Sequence, residues 1–342
     1  MNEINRNTSS VTVKHISSKT IADIPLPLPP SNEQKRIVTK VKTLFAERTT
    51  ALDALVKANF LLQKFRQSVL IRAFNGDLTK KAINHNDSGK ILLERIKKAK
   101  KQRITGKMQE SLYHVEALYK IPDDWVWASV DEICWKVTDG EHNKPQTVAK
   151  GVPLLSAKNI RDGYLDFRDV DFVTENIAEK CLKRCNPELG DILIVCVGAT
   201  IGRTSIVIAP RRFCLQRTVG LLKPVKEEIL TEYLYYFLKS GACQNQINSF
   251  IRATAIPHFN IDKMKKISVP IPSVTEQKII VEKISKLFNL ANKIQKDTKI
   301  AFEKVNAFDQ ALLAKAFRGE LVPQDPDDEP SSVLLERIKA QS

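Results

Sequence analysis

The stretch "PPSNEQKRIV", Pro29 to Val38, is written a second time, with small changes, as "PSVTEQKIIV", Pro272 to Val281. From Pro29 to Pro272 the offset is 243, and at that offset the correspondence extends outward. His15 meets His258, Ile24 meets Ile267, Pro27 meets Pro270, and Leu44–Phe45 meets Leu287–Phe288. "FRQSVLIRAFNGDL" from Phe65 meets "FDQALLAKAFRGEL" from Phe308 and, after a slip of one residue, "ILLERIKK" at Ile91 meets "VLLERIKA" at Val333. A repeat of this length is a duplication, and it constrains the fold before any local reading does.

Each copy spells one long helix. Neither Ser31–Asn75 nor Thr275–Arg318 contains a Gly or Pro. The patterns Ser31-x-x-Gln34 and Ser273-x-x-Glu276 predict capping boxes at the two starts, and the prolines just upstream keep the chain extended until then. Gly76 and Gly319 suit the left-handed residue that ends a helix. Ile37, Val41, Leu44, Arg48, Ala51, Leu55, Ala58, Leu62, Phe65 and Val69 recur by threes and fours, as do Ile280, Ile284, Leu287, Ala291, Ile294, Thr298, Ala301, Val305, Phe308 and Leu312. Both sets are mostly apolar seams of coiled-coil period. At about 1.5 Å per residue each helix is roughly 65 Å long. A seam that narrow does not bury itself, so the two copies are expected to pack on one another, antiparallel within one chain, with pairing across two chains open to the same seam.

The chain has 342 residues, 43% of them hydrophobic, enough for one large or two ordinary domains with a real core. It has no run of eighteen apolar residues to span a membrane, and the start "MNEINRNTSSVTVKH" has no secretory pattern. None of the six cysteines forms a CxxC pair, so a disulfide framework is not expected. Cys181 and Cys185 have no second ligand pair at a zinc-like distance. The net charge of +15 points to an acidic partner, with nucleic acid the commonest.

Between the helices the pattern changes. Residues Gly76 to Leu118 read as a hinge: "NHNDSG" breaks the chain, and "KILLERIKKAKKQRITGK" reads as a basic helix whose lysines form a solvated face. A globular segment opens at "IPDDWVWASVDEIC". Gly151–Ile160, Gly190–Gly198, Arg203–Ala209 and Thr218–Pro224 are short, β-branched and bounded by Gly or Pro, as strands are. Thr231–Ile251 reads as a helix with a glycine positioned to split it. The fold class is therefore α+β, a globular domain flanked by two long helices forming an antiparallel coiled coil. "GATIGRT" (Gly198–Thr204) departs from the phosphate-loop pattern in spacing and in carrying Arg203 for lysine, so it reads as a turn between strands. The usual catalytic and dinucleotide motifs are missing from the sequence. His142 in "DGEHNKP" has no evident partner and reads as a turn or binding-surface histidine.

At these residues the chain resembles the specificity subunit of Type I restriction–modification systems. "DDWVWASVDEIC" is similar to the opening of a target recognition domain, "GDILIVCVGATIGRTSIV" to its strand–turn–strand element and "LQRTVGLLKP" to the strand after it. "TAIPHFNIDKMKKISVPIPSVTEQKIIV" resembles the exit into a long helix, and "AFRGEL" the end of that helix. The resemblance implies recognition domains carried on two antiparallel helices that set the distance between DNA half-sites. It implies a non-catalytic subunit, without a cofactor of its own, whose partners are double-stranded DNA, methyltransferase subunits using S-adenosylmethionine and restriction subunits using ATP, with no membrane. The expected organisation is a remnant of a first recognition domain at 1–30, helices at 31–76 and 273–319, a linker with a basic helix at 77–118, the complete recognition domain at 119–272 and a tail with a short helix at 320–342. A half subunit of this kind forming a two-fold dimer through its helices would read an interrupted palindrome.

Base and phosphate contacts need cations and amides. The candidates are Lys144, Lys158, Asn159, Arg161, Arg203, Arg211, Arg212, Gln216, Arg217, Arg252 and Thr254. Arg203 and Arg217 suit guanine, and Gln216 suits adenine. Thr254 and His258 lie in the exit element, where phosphate contact and a bracing turn are both open. The counterpart of His258, His15, stands in a copy without a complete domain, which favours the brace. A coiled-coil scaffold, an enzyme and an inactive truncated subunit remain as rival readings.

Overall fold

From the amino end of the chain come helices α1 (Ser31–Phe74) and α2 (Gly89–Arg103). Strand β1 (Val126–Ser129), the short helix α3 (Val130–Ile133) and β2 (Cys134–Asp139) follow. Next are β3 (Val152–Leu155), a 3-10 turn at Ala157–Asn159, β4 (Ile160–Arg161), β5 (Tyr164–Leu165), β6 (Asp171–Val173) and α4 (Glu175–Arg184). Then come β7 (Ile192–Val195), β8 (Thr204–Ile206), β9 (Cys214–Leu215) and β10 (Val219–Pro224). The chain continues with α5 (Thr231–Leu238), α6 (Gly241–Arg252), α7 (Ile261–Lys265), β11 (Ser268–Ile271), α8 (Val274–Phe317) and α9 (Ser331–Gln341). The computed structural model describes residues 23–79, 87–103, 113, 115–143, 145–252 and 258–341. They fall into a helical unit, Met1–Leu61 with Ile294–Ser342, and a globular unit, Leu62–Lys293.

The two long helices are each 44 residues, as the Gly- and Pro-free stretches require. Their ends follow the sequence unequally. At α8 the serine half of the expected capping box forms: the Ser273 hydroxyl accepts from the Glu276 amide at 3.2 Å and donates to its carboxylate at 3.4 Å. At α1 the box does not form: the helix takes in Ser31, and Gln34 donates from its amide nitrogen to Pro29 O at 2.8 Å and from its backbone to Pro30 O at 2.9 Å. Gly76 and Gly319 both adopt the left-handed conformation, with φ of 82° and 72°. In the helical unit Ile37, Val41, Leu44, Arg48, Ala51, Leu55 and Ala58 are half-buried between exposed neighbours, as are Thr298, Ala301 and Val305, while Leu312 is buried. Arg48, the charged member of its seam, lies 2.6 Å from Asp309. Ile294, Phe308 and, in the globular unit, Phe65 are exposed where the periodic reading expects seam residues.

In the globular unit β1 and β11 pair antiparallel, Val126 opposite Ile271 and Ser129 opposite Ser268, so the first and last strands of the domain meet. The main sheet is antiparallel, in the order β2-β10-β7-β8. A second sheet, β6-β3-β9, and the β4–β5 ribbon complete the strands. The run "ILIV" of β7 is apolar throughout because both faces are covered. Ile192 and Ile194 join the core that holds α5 and the helix ends, while Leu193 and Val195 join the cluster around Leu155 and Phe213. The four runs read as strands contain β3, β7, β8 and β10, and the predicted helix breaks just before Gly241 into α5 and α6. Helix α4 and strands β2, β6 and β11 add elements that the periodicity did not single out.

The basic helix forms as α2 with Lys90, Lys98 and Lys101 exposed as expected, but its other face belongs to the globular core and not to a hinge. Its Leu92, Leu93 and Ile96 are buried in the main core. Lys100 donates to the carbonyls of Asp131 at 2.6 Å and Cys134 at 2.9 Å, and burial lowers the pKa of its amine. Arg95 is bonded to Glu228 at 2.8 Å. All six cysteines are buried as free thiols. Burial pushes Cys185 and Cys196 up to about 12, which keeps them protonated and unreactive.

Phe74 is a keystone of this core, with its ring edge-on to Tyr233 at 5.4 Å and to Phe237 at 5.2 Å. Phe74→Ala is expected to destabilise the globular unit by about 3–5 kcal/mol. Tryptophan fluorescence during urea unfolding measures this, because Trp125, Trp127 and Trp135 all lie in that unit. Phe317→Ala, at the exposed counterpart position, should shift the far-UV circular dichroism transition by no more than about 0.5 kcal/mol.

Candidate nucleic-acid interface

The register of the main sheet brings four strand ends to one side. Asp139 at the end of β2 faces Gly220, Val219 at the start of β10 faces Val195 at the end of β7, and Thr204 at the start of β8 faces Ile194. The loops leaving these ends are bonded to one another through their backbones. Glu141 donates to Leu215 O at 2.8 Å and accepts from the Arg217 amide at 2.9 Å. Cys196 donates to Thr218 O at 2.9 Å, Phe259 to Cys196 O at 3.0 Å, and Gln216 to Leu155 O at 2.9 Å. Gly140 is required in this rim: a Cβ there would stand 2.2 Å from Leu215 O.

Two side chains, Arg184 and His142, are tied together on the rim by one carboxylate. Asp139, with its side chain 9% exposed, accepts from Arg184 Nη2 at 2.9 Å and lies 3.0 Å from His142 Nε2. Arg184 Nη2 is also 2.8 Å from His142 Nε2, so that ring nitrogen either donates to Asp139 or accepts from Arg184, according to its tautomer. His142 thus has the partner that its sequence neighbours did not disclose. Arg184, at the end of α4, was not a sequence candidate; the Asp139 contact joins residues 45 apart, and no local pattern signals it. His258 is bridged to Val197, and its carbonyl accepts from Lys263 Nζ at 2.8 Å, which are the contacts of a bracing turn. Burial, together with the nearby Arg217 and Lys263 charges, lowers its imidazole pKa.

The sequence candidates divide by position. Arg217 is exposed on the rim with its backbone held by Glu141, and Gln216 is half-buried beside it. Arg203 is half-buried and turns its guanidinium toward Ile160 O at 3.4 Å. A second group surrounds the loop Asp166–Asp169. Lys158 pairs with Asp169 at 2.9 Å, and Arg161 lies 3.5 Å from Asp166. Arg211 covers the Phe167 ring at 3.9 Å. Arg168, which the sequence reading passed over, forks onto Asp166 at 2.8 and 2.9 Å and holds that carboxyl well below the usual range. Arg212 pairs with Glu175, and Arg252 is exposed at the end of α6. Asn159 requires correction as a surface contact. It is buried, and its amide donates to Asp166 O at 2.9 Å and Asp169 O at 2.7 Å while its oxygen accepts from Ser156 N at 3.0 Å, so it frames the loop from within. Lys144 and Thr254 lie outside the described residues. Among the described residues no group of three or more His, Cys, Asp or Glu side chains is placed to hold a metal ion, and no helix is long and apolar enough to cross a membrane.

The sequence matches the family described as Type I restriction modification DNA specificity domain over residues 1–58 and 122–304. It is similar to the Type I restriction enzyme EcoBI specificity subunit of Escherichia coli, at 33% identity, with the match covering 100% of this chain and 69% of that protein. It is 27% identical to the EcoKI specificity subunit of Escherichia coli K12, over 99% of this chain and 68% of the relative. Among solved structures, a chain of a type I R-M system described for its complex assembly and conformational transition aligns with a TM-score of 0.65 at 17% identity, covering 93% of this chain and 68% of that one. The HsdS subunit from Thermoanaerobacter tengcongensis aligns with a TM-score of 0.50 at 19% identity, covering 93% and 67%. At these identities the likeness is one of mixed helix and strand architecture.

The lowered pKa of His258 has a stability consequence with a definite sign. The unfolded chain takes up this proton near the ordinary value of 6.5, above the folded value, so the unfolded state binds more protons as the pH falls. Stability contributed by neutral His258 is present above that value and is lost on acidification. His258→Gln should therefore flatten the fall in urea midpoint between neutral and mildly acidic pH, measured by tryptophan fluorescence at a series of pH values.

Proposed function

Because the chain belongs to the Type I restriction modification DNA specificity family, we propose that its rim at the end of the main sheet reads duplex DNA, and that the chain places methyltransferase and restriction subunits on a bipartite site. Its own part is recognition, with methyl transfer from S-adenosylmethionine and ATP-driven restriction left to those partners. The observation that carries this reading is the gathering of Arg217, Gln216, His142 and Arg184 on one backbone-bonded rim in a chain of net charge +15. Arg217 reads a guanine edge, with Gln216 beside it as an adenine reader. Arg184 and the cations around Asp166–Asp169 set the register on phosphate. The carboxylates that hold them fix their direction and moderate the field, which favours chosen contacts over indiscriminate binding.

The same reading makes the two long helices an antiparallel coiled coil that sets the spacing between half-sites. In the helical unit Arg36 forks onto Asp328 at 2.6 and 3.2 Å, and Arg48 meets Asp309, so advance along one segment matches retreat along the other. In the globular unit Arg66 donates to Asn292 at 2.9 Å and stands over the Phe288 ring. The exposed Val56 and Leu61 of the helical unit leave apolar surface for a partner subunit or a second copy.

Co-expression with a cognate methyltransferase and mapping of methylated adenines gives the site. A symmetric interrupted motif signals paired copies, and absence of any methylation removes the proposal. On that site the complex should lose affinity linearly in log salt, and a salt-insensitive interaction would favour a protein-binding scaffold instead. Arg217→Ala should cost about 1–3 kcal/mol of DNA affinity and relax the motif at one base. Asp139→Asn and Arg184→Ala should each weaken binding, and the double variant should be no worse than the stronger single change, because the first frees and the second removes the same guanidinium.

A further inference from the structure

One ring nitrogen on the rim meets two partners with opposite demands. His142 Nε2 lies 3.0 and 3.2 Å from the two carboxylate oxygens of Asp139 and 2.8 Å from Nη2 of Arg184. An ionised carboxylate only accepts hydrogen bonds and a guanidinium only donates them. A proton on Nε2 therefore suits Asp139 and opposes Arg184, while a bare Nε2 suits Arg184. Asp139 and Arg184 are also bonded to each other, at 2.9 Å, so the three groups close a near-equilateral triangle. Arg184 Nη2 carries two hydrogens, one for the Asp139 oxygen and one for the ring. That assignment satisfies both of its contacts only when His142 is neutral with its proton on Nδ1. With a proton on Nε2, two donors would face each other at hydrogen-bond distance, and the guanidinium has to leave.

The triangle is built so that one corner can open. The Asp139 carboxylate is buried at the end of β2, whereas the side chains of His142 and Arg184 are 53% and 42% exposed. Lys136 Nζ donates to the Arg184 carbonyl at 2.5 Å, so the Arg184 backbone stays in place when its guanidinium moves. Glu141 accepts the His142 amide at 3.1 Å and fixes the loop that carries the ring. His258 is close enough for its own ring to feel the charges of Arg217, Lys263, Asp139 and His142. Cys185 and Cys196, which feel the Asp139 charge, are pushed up to about 12 and keep their protons. Among these groups, His142 is the one whose ring proton stands between an acceptor and a donor.

We propose, resting on the reading of the rim as a DNA-contacting surface, that His142 is a positioning residue for Arg184. The neutral ring and Asp139 together hold the guanidinium where it meets a phosphate, and a proton at Nε2 takes its place on Asp139 and releases it. A phosphate contact carries no sequence information by itself, but it fixes the register in which Arg217 and Gln216 meet base edges. A held guanidinium serves that one register. A released guanidinium beside an imidazolium attracts phosphate in every register, and that attraction is the part of binding indifferent to sequence. Acidification thus exchanges discrimination for general affinity, with Asp139 hydrogen-bonded in both states.

The test reads the ring first and DNA second. In the full chain with isotope-labelled histidine, nitrogen NMR distinguishes a ring nitrogen that carries a proton from a bare one, and His142→Gln identifies the His142 signals among those of the five histidines. At about pH 8, above the range in which an imidazole ordinarily titrates, His142 should be protonated on Nδ1 with Nε2 bare. Arg184→Ala should move that proton to Nε2, facing Asp139. A proton already on Nε2 in the unchanged chain overturns the inference whatever the rim binds. In the complex with methyltransferase subunits, affinity is then measured for the mapped site and for a scrambled duplex. Their ratio should fall about fivefold between about pH 8 and about pH 6, the order of one charge-assisted contact. His142→Gln should abolish the fall, because its oxygen accepts from Arg184 and its side chain does not titrate. A ratio that does not change with pH in the unchanged chain, or that falls equally in His142→Gln, overturns the inference. A bare Nε2 in a chain whose complex prefers no duplex at any pH overturns the reading of the rim instead of the hold on Arg184.

Discussion

The globular unit depends on a closure at the root of α8. β11 ends at Ile271, two residues later Ser273 caps the helix, and at Glu276 the first turn receives the indole N–H of Trp125 from the start of the domain. Beginning and end of the fold are thereby joined at the point where the long helix starts. The Glu276 carboxyl is buried there, and burial raises its pKa in spite of the donors around it. A carboxylate in such a place is tolerated only because it is hydrogen-bonded. Removing the indole would leave it without that donor, so Trp125 and Glu276 form a coupled pair. The domain's orientation on its helix follows from this pair and the four residue pairs of the β1–β11 ladder.

Much of this frame is legible in sequence because it is local. The long helices follow from absent breakers and a seam of fixed period, and the left-handed glycines follow from conformational freedom at a helix end. The serine cap at Ser273 forms where the neighbouring fold buries it, whereas Ser31 begins the same kind of pattern and Gln34 turns back to Pro29 instead. Context decides between the two local solutions. Helix α2 misleads for a related reason: eight of its fifteen residues are charged, yet Leu92, Leu93 and Ile96 occupy a narrow stripe that the core buries completely enough to outweigh that composition.

The candidate site is less legible because its contacts are non-local. Residue type and exposure make Arg217 visible, but Asp139 reaches Arg184 and His142 only after β2 and α4 have packed. Asn159 has the right chemistry for a base edge, and the fold uses it to bond three backbone groups of the 156–169 segment. Amide side chains serve both purposes equally well, and sequence alone does not distinguish them. Arg203 and the cations around Asp166 likewise have protein partners that chain order conceals.

The rim separates the bonds that build it from the side chains that project from it. Glu141, Leu215, Gln216, Arg217, Cys196 and Thr218 are joined through backbone N–H and C=O groups, which every non-proline residue supplies. Leu215 and Cys196 also bury their side chains in the core, so the side chains that can change without loss of the loop frame are those of Gln216 and Arg217, while at Gly140 the approach of Leu215 O forbids one. A protein whose task is to discriminate between sequences gains from such a division, because a new contact can be introduced at Gln216 or Arg217 without repaying it in folding stability. The carboxylate at Asp139 joins the two parts of the rim: it belongs to the frame by burial and to the exposed surface through the Arg184 guanidinium it holds.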